Sequence, residues 1–140
     1  MILHPQLKQD CFVIGSFPLS VLLLLNDSRY PWFILVPQRP DIHEIHQLPE
    51  ADQQQLMRES SLLAECIETE FKADKINVAA LGNVVPQLHI HHIVRYRSDP
   101  AWPAPVWGKL SALAYSKYDS DTLCMRMRTL LCDSGLIGID

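Results

Sequence analysis

The sequence predicts an α+β fold in which one long helix packs across an antiparallel sheet of about five strands. Short apolar segments separated by turn residues come first, a long segment with helical periodicity occupies the middle, and an alternating segment follows it. A second helical segment lies near the C-terminus. With 140 residues, the chain is expected to form a single domain, residues 1–140.

Three strands are predicted in the N-terminal part of the chain. Residues 11–17 form the first. Residues 20–25 form the second, and their almost wholly apolar composition implies burial on both faces of a sheet. Residues 26–31 have the composition of a turn, and residues 32–36 form the third strand. The second and third strands are therefore predicted to make a hairpin.

The middle of the chain is predicted to be a helix over residues 50–71, because Leu63, Ile67 and Phe71 recur every four positions on one stripe. The preceding segment, residues 41–48, fits either a loop or a short strand. Residues 75–80 are predicted as a further strand, with a glycine turn after it.

The C-terminal part begins with a segment, residues 98–108, that no regular element tolerates because of its proline content. Its prolines and tryptophans are Pro100, Trp102, Pro103, Pro105 and Trp107. We expect an extended, rigid loop that can close over whatever the preceding strand presents. Ser116 or Ser120 can then cap a last helix that reaches about Cys132.

Composition and charge narrow the class of protein. Hydrophobic residues make up 48% and charged residues 20%, which is ordinary for a soluble globular protein. The formal net charge of −4 argues against a surface that coats nucleic acid or an anionic membrane. The apolar run at residues 21–25 is too short to span a membrane, and no export signal is recognisable. Four scattered cysteines are expected to be reduced, so the expected location is cytoplasmic.

The most informative segment is residues 87–95, which alternates like a strand. One face of that strand carries a row of polar side chains: Gln87, His89, His91 and Arg95. Ile93 lies between the last two, and successive residues on this face lie about 7 Å apart. Two imidazoles, an amide and a guanidinium in a line suit a phosphate better than they suit a core.

This row of side chains allows phosphoryl chemistry. A neutral imidazole is a nucleophile toward phosphorus, and attack splits one hard displacement into two easier ones. The attacking ring must be aimed through its other nitrogen, and nearby donors such as Gln87 and His91 must steady the phosphoryl oxygens. Taken alone, His89 and His91 fit a structural role or a metal pair equally well, although no third metal ligand lies close in sequence.

Residues 82–94 resemble the signature of the histidine triad (HIT) superfamily, in which three histidines alternate with apolar residues after a Gly-Gln pair. The resemblance covers about residues 10–97, which form the core of the predicted domain. Residues 98–135 follow this core as a Trp/Pro loop and a C-terminal helix. It implies a HIT-like fold. Members of the family are nucleotide hydrolases and transferases, usually homodimers, that act on an α-phosphate bearing a nucleoside.

The alignment on Gly82 assigns a role to each motif position. Asn83 falls on the family glutamine, and Gln87 replaces the first histidine. The resemblance makes His89 the nucleophile and His91 the third histidine. This is a Gln-x-His-x-His variant of the motif.

Two positions outside the motif also match family sites. Asn26, in the hairpin turn, falls where the family holds the ribose hydroxyls, and Trp32 falls where a further histidine is common. The stretch that ends at Trp107 resembles an aromatic-proline loop beside the active site of some relatives.

Several interpretations stay open on the residues alone. Arg95 can contact phosphate or form a salt bridge at the strand end. Trp107 can stack on a base or pack under a loop. His92 points to the opposite face and is interpreted as a core or interface histidine. His43 and His46 are interpreted as surface residues.

The leading prediction is a nucleotide hydrolase or transferase that forms a nucleotidyl-histidine intermediate on His89. Its predicted catalytic residues are His89, His91 and Gln87, and its predicted substrate-binding residues are Asn26, Asn83, Arg95 and Trp107. No metal or cofactor is expected, and the expected partners are a nucleotide substrate and a second copy of the chain. One alternative is a module that binds nucleotides with little turnover, because Gln87 and Trp32 replace family histidines. Another is a zinc site.

Overall fold

The computed structural model describes residues 2–138 as a six-stranded antiparallel sheet with three α-helices. The helices are α1 (Pro5–Asp10), α2 (Glu50–Phe71) and α3 (Lys117–Leu131). The strands are β1 (Cys11–Ser16), β2 (Ser20–Leu25), β3 (Trp32–Pro37), β4 (Lys75–Ala79), β5 (Ile90–Arg95) and β6 (Ile137–Gly138). Their order across the sheet is β4-β5-β3-β2-β1-β6.

The predicted α+β fold is confirmed, but the sheet has six strands rather than about five. The additional strand, β6, pairs with the end of β1 at Gly15 and Ser16. A two-residue strand is too short to produce a sequence pattern. Glycine is required at position 15, since a Cβ atom there would come 2.6 Å from the carbonyl oxygen of Ile137.

One face of the sheet is covered by the two longer helices. Leu63 and Ile67 of α2 and Met127 of α3 are fully buried against strand residues such as Phe33 and Leu35. This is the stripe that the helical periodicity predicts. Burial of such side chains supplies about 1.5–3 kcal/mol each in transfer free energy.

The other face of the sheet is buried as well, by shorter segments. Ile34, Ile93 and Leu23 lie there almost without solvent exposure. Their cover consists of Leu3, Leu7, Val85, Ala101, Val106 and Trp107. Because the central strands are buried on both faces, they need the nearly unbroken apolar sequence that residues 20–25 show.

The histidine strand is shorter than the alternation predicts. Regular pairing begins at Ile90, so residues 87–89 precede the strand instead of belonging to it. Ile90 pairs opposite Leu35 of β3. For residues 41–48, the sequence fits either a loop or a short strand. The structure shows a loop that contains a 3-10 turn at Ile45–Gln47.

The Trp/Pro loop is folded into successive tight turns rather than extended. Backbone bonds join Asp99 to Tyr96, Trp102 to Asp99 and Ala104 to Ala101. The Asp99 carboxylate accepts further bonds from the backbone N–H groups of Tyr96, Ala101 and Trp102. A carboxylate that collects several backbone donors stabilises a compact turn that proline content alone does not reveal.

No helix among residues 2–138 is both long and apolar enough to cross a lipid bilayer.

Candidate active site

His89 lies immediately before β5, and one hydrogen bond determines which nitrogen of its ring carries the proton. Its Nδ1 atom is 2.7 Å from the main-chain carbonyl oxygen of Gln87. A carbonyl oxygen only accepts, so Nδ1 carries the proton. In the neutral ring, Nε2 therefore holds the lone pair, which is the state that a nucleophile requires.

His91 has the opposite tautomer because its partner is a donor. The indole Nε1–H of Trp32 donates to Nδ1 of His91 at 2.9 Å. An indole nitrogen can only donate, so Nδ1 of the neutral ring is bare and Nε2 carries the proton. Burial, and next the neighbouring His89 and His92, lower the pKa of His91 to about 3. His91 is therefore a neutral hydrogen-bond donor throughout the physiological pH range.

The two histidines belong to an aromatic cluster. The ring centroids of His89 and His91 are 4.9 Å apart, and those of His91 and Trp107 are 5.1 Å apart. Trp107 also meets Trp32 edge to face at 5.5 Å. Edge-to-face contacts at these distances are favourable and hold each ring in one orientation. The cluster thus fixes the directions of the remaining imidazole nitrogens.

The histidines line a pocket of about 360 Å³ that opens on the face opposite α2. Its walls are Gln6, Leu7, Asp10, Leu25, Trp32, Leu81, Gly82, Asn83, Val84, Val85, His89, His91 and Trp107. The volume lies within the range of small-ligand sites. Apolar walls with a few polar groups are the usual composition of such a site, so this pocket is the candidate active site.

Four of the predicted site residues meet in this pocket: His89, His91, Asn83 and Trp107. Gln87 contributes differently. Its main-chain carbonyl orients His89, while its side-chain oxygen accepts from the backbone N–H of His4 at 2.8 Å. The side-chain amide of Gln87 also donates to the carbonyl of Ile2.

Arg95 does not line the pocket. Its guanidinium is almost fully buried and forms a two-pronged ion pair with Asp99, at 2.8 and 3.1 Å. It also donates to Asn77 and to the carbonyl of Ala104, and it lies 5.5 Å from the ring centroid of Trp102. Of the two open interpretations, the geometry favours the salt bridge, which joins β5 to the Trp/Pro loop.

Asn26 does not line the pocket either. Its side-chain oxygen accepts from the backbone N–H of Tyr115 at 2.8 Å. The backbone N–H of Asn26 donates to the carbonyl of Asp10 at 2.9 Å. The hairpin turn is thereby connected both to α1 and to the segment before α3.

His92 lies on the helix-facing side of β5, in agreement with the interpretation as a core histidine. Its Nδ1 donates to the carbonyl of Ile90, and its Nε2 accepts from the hydroxyl of Ser60 on α2 at 2.7 Å. Burial lowers the pKa of His92 to about 4.

The zinc alternative requires at least three ligating side chains close together. Across residues 2–138, no three His, Cys, Asp or Glu side chains come together as a metal site. His43 and His46 are both exposed, as predicted for surface residues.

Sequence reasoning missed the contribution of the N-terminal segment to the pocket. Gln6, Leu7 and Asp10 of α1 form one wall. The available signal was Pro5 at the first helical position, directly after a capping residue, His4. Six residues are too few for a periodic pattern, so only the tertiary contacts reveal this wall.

Comparison with known proteins gives consistent results. A family model described as the HIT domain matches residues 6–98. A solved histidine triad protein from Marinobacter aquaeolei is 48% identical, with a TM-score of 0.92 over 94% of this chain and 96% of that chain. One from Bradyrhizobium japonicum is 46% identical, with a TM-score of 0.89 over 91% and 96%. One from Sinorhizobium meliloti is 42% identical, with a TM-score of 0.90 over 93% and 96%. No curated protein matched the chain.

The buried, neutral state of His92 leads to a prediction about acid stability. Its pKa is 6.5 in the unfolded chain and about 4 in the folded chain. Between pH 6.5 and 4, the unfolded chain therefore binds a proton at His92 that the folded chain does not bind. The free energy of unfolding should fall between pH 6.5 and 4, by on the order of 3 kcal/mol from this residue. Urea unfolding of the wild type and of His92→Gln at several pH values measures this contribution. A variant that loses as much stability as the wild type in that window would contradict the assignment.

Proposed function

Because the chain belongs to the histidine triad (HIT) family, we propose that it is a nucleotide hydrolase or transferase that uses His89 as its nucleophile. Membership in the family supports a function in nucleotide binding, hydrolysis or transfer. The proposed substrate is a nucleoside phosphate derivative attacked at its α-phosphate. The bond between His89 Nδ1 and the Gln87 carbonyl is the observation that carries the proposal, because it leaves Nε2 as the lone-pair nitrogen in the pocket.

The proposed reaction has two displacements. Nε2 of His89 forms a bond to the α-phosphorus, and the leaving group departs with the electron pair of the broken bond. The ring becomes positively charged, and its Nδ1–H bond to the Gln87 carbonyl favours that state. Water then attacks the same phosphorus, and the bond between phosphorus and Nε2 breaks with its electron pair returning to Nε2. The nucleotide leaves, the ring is neutral again, and the proton that the water loses passes to solvent.

His91 is proposed to bind a phosphoryl oxygen through its Nε2–H. Since Trp32 occupies the other nitrogen, this donor cannot be lost by tautomer exchange without breaking that bond. Asn83 and Trp107 are proposed to contact the nucleotide from the pocket walls. Asn26 and Arg95, whose side chains bind Tyr115 and Asp99, are proposed to hold the frame around the pocket.

A second candidate function is nucleotide binding with little turnover. One observation favours it: burial lowers the pKa of His91 to about 3. At neutral pH the His91 ring is therefore not an imidazolium, and a neutral imidazole is a poor acid for protonating a leaving group. A substrate whose leaving group departs without protonation would still react. The two candidates are distinguished by turnover, not by binding.

The roles of His89 and Gln87 lead to opposite mutational outcomes. His89→Ala should lower kcat by at least about 10²-fold, the size of effect expected for an activated nucleophile. Gln87→Ala should leave kcat within about tenfold, because the orienting group is the main-chain carbonyl, which the substitution keeps. Hydrolysis of a panel of nucleoside phosphoramidates, dinucleoside polyphosphates and nucleotidyl adducts measures both.

The control for this comparison is rapid denaturation at alkaline pH during turnover. The P–N bond of a nucleotidyl-histidine persists in alkali, so this quench should trap an adduct in the wild type but not in His89→Ala. Equal hydrolysis by the wild type and His89→Ala would overturn the catalytic assignment. Nucleotide binding by the wild type without hydrolysis of any compound would favour the binding module.

Trp32→Phe should reduce kcat more than it changes KM. The substitution keeps an aromatic ring in the cluster but removes the donor to His91 Nδ1, so the His91 tautomer is no longer imposed. A decrease of about tenfold corresponds to the loss of one hydrogen bond to an oriented group. Steady-state kinetics measures the split, with Tyr30→Phe as the control, because Tyr30 packs on the ring of Trp32 without lining the pocket. An unchanged kcat in Trp32→Phe would show that the tautomer of His91 does not matter for the reaction.

We also propose that the protein forms a homodimer, as the family resemblance implies. β4 is an outermost strand of the sheet, so its outer edge is available to pair with a strand of a second copy. Val78 of β4 is 51% exposed. Sedimentation should give twice the chain mass for the wild type and a lower average mass for Val78→Lys, while a monomeric wild type at micromolar concentration would contradict the proposal.

A further inference from the structure

A second pocket, of about 490 Å³, lies beside the candidate active site. Three stretches of chain line it: Ile2 and His4 at the N-terminus, residues 39–43 after β3, and Pro86 and Gln87 before β5. None of these residues lines the active-site pocket. The volume lies within the range of small-ligand sites, so the second pocket has room for part of a substrate.

A narrow cleft joins the two pockets. It shares Leu81, Gly82 and His89 with the active-site pocket, and it shares His43 and Gln87 with the second pocket. Its volume is about 10 Å³, which is room for about one water-sized group. A bridging oxygen or NH has that size, and one such atom joins a leaving group to phosphorus. The proposed nucleophile, His89, therefore lies where one pocket leads to the other.

Gln87 holds the N-terminal side of the second pocket in place. Its side-chain oxygen accepts from the backbone N–H of His4 at 2.8 Å, and its side-chain amide donates to the carbonyl oxygen of Ile2 at 3.2 Å. Its main-chain carbonyl accepts from Nδ1 of His89. Gln87 is thus a positioning residue for both pockets: its side chain shapes the second pocket, and its main chain orients the nucleophile.

Apolar surface makes up most of the lining of the second pocket. Its apolar walls are formed by Ile2, Pro40, Ile42 and Pro86. His4 adds one polar group: its Nδ1 accepts from the backbone N–H of Gln6 at 3.1 Å, so the neutral ring carries its proton on Nε2. Apolar walls with few polar groups favour an apolar occupant, which gains free energy in proportion to the area that it buries.

The charged side chains of the second pocket do not favour an anion. The guanidinium of Arg39 forms a two-pronged ion pair with Asp52, at 2.7 and 3.1 Å. Asp41 lines the same pocket, is exposed and has no ion-pair partner among residues 2–138. An anionic group in the pocket would therefore meet a guanidinium whose charge is balanced and a carboxylate whose charge is not.

We propose that the second pocket binds the leaving group of the substrate and prefers uncharged, apolar leaving groups over anionic ones. The inference rests on the proposed function, since a leaving group exists only if His89 attacks a nucleotide derivative. An in-line displacement places the leaving group across the phosphorus from the nucleophile, so that group needs room outside the pocket that holds the nucleoside. The second pocket supplies this room, and the cleft connects it to the reacting atoms.

The test uses three compounds with the same P–N bond: adenosine 5′-phosphoramidate, its N-benzyl derivative and its N-carboxymethyl derivative. Calorimetric titration of His89→Ala measures their affinities without turnover. The benzyl derivative should bind about tenfold more tightly than the unsubstituted compound, since its ring is buried in the second pocket. The carboxymethyl derivative should bind about threefold more weakly than the unsubstituted compound, because its carboxylate meets the exposed charge of Asp41.

Variants of the second pocket, made in the same background, test where the added groups lie. Pro40→Trp fills the pocket, and Ile2→Asp places a charge on an apolar wall at a side chain that is 81% exposed, which leaves the core intact. Each should reduce the benzyl advantage to about threefold or less. Asp41→Asn should remove the carboxymethyl penalty, and asparagine accepts the left-handed backbone at φ 57. Asp133→Asn removes the same charge from an exposed position outside the pocket and is the matched control.

Binding and turnover together separate this inference from the proposed function. Equal affinity of the benzyl and unsubstituted compounds, or a benzyl advantage that both pocket variants retain, would overturn the role of the second pocket, even if the wild type hydrolyses all three compounds. A carboxymethyl penalty that Asp41→Asn leaves unchanged would contradict the charge preference. The predicted affinities together with a wild type that hydrolyses nothing would overturn the catalytic proposal alone. Failure of all three compounds to bind would overturn both.

Discussion

The pocket exists because the central strands are buried on both faces and therefore need two covers. Helices α2 and α3 cover one face, where Phe33 and Leu35 are fully buried. The other face is covered by short segments that the chain brings together from the N-terminus, the glycine turn and the Trp/Pro loop. Three separate segments cover a sheet less continuously than a long helix does. The pocket lies between them.

The same burial determines the state of the histidines. Removal from water disfavours the charged form, so His91 and His92 stay neutral far below their ordinary pKa. A neutral imidazole must carry its proton on one nitrogen, and the partner of the other nitrogen decides which. Gln87 and Trp32 impose opposite choices on His89 and His91, which gives the pocket one lone pair and one donor.

Two polar residues near the pocket occupy positions where substrate contacts were predicted, yet their side chains bind other parts of the protein. Arg95 is on the predicted strand face, yet it binds Asp99 and stabilises the turn that leads to Trp107. Asn26 sits in the predicted turn, yet its side chain binds the segment before α3. Arg95 is buried and Asn26 is half-buried, and each has a hydrogen-bond partner inside the protein. Leaving a buried polar group unpaired costs about 1–3 kcal/mol.

The sequence by itself determined the fold class, both long helices, the central strands and the motif that contains His89. Those features depend on periodicity and on short-range spacing, which a single chain displays directly. Only the tertiary structure decided that α1 walls the pocket, that β6 closes beside Gly15 and that Trp32 donates to His91. These contacts join residues far apart in sequence, and their energy comes from burial and hydrogen bonding that arise only when the segments meet.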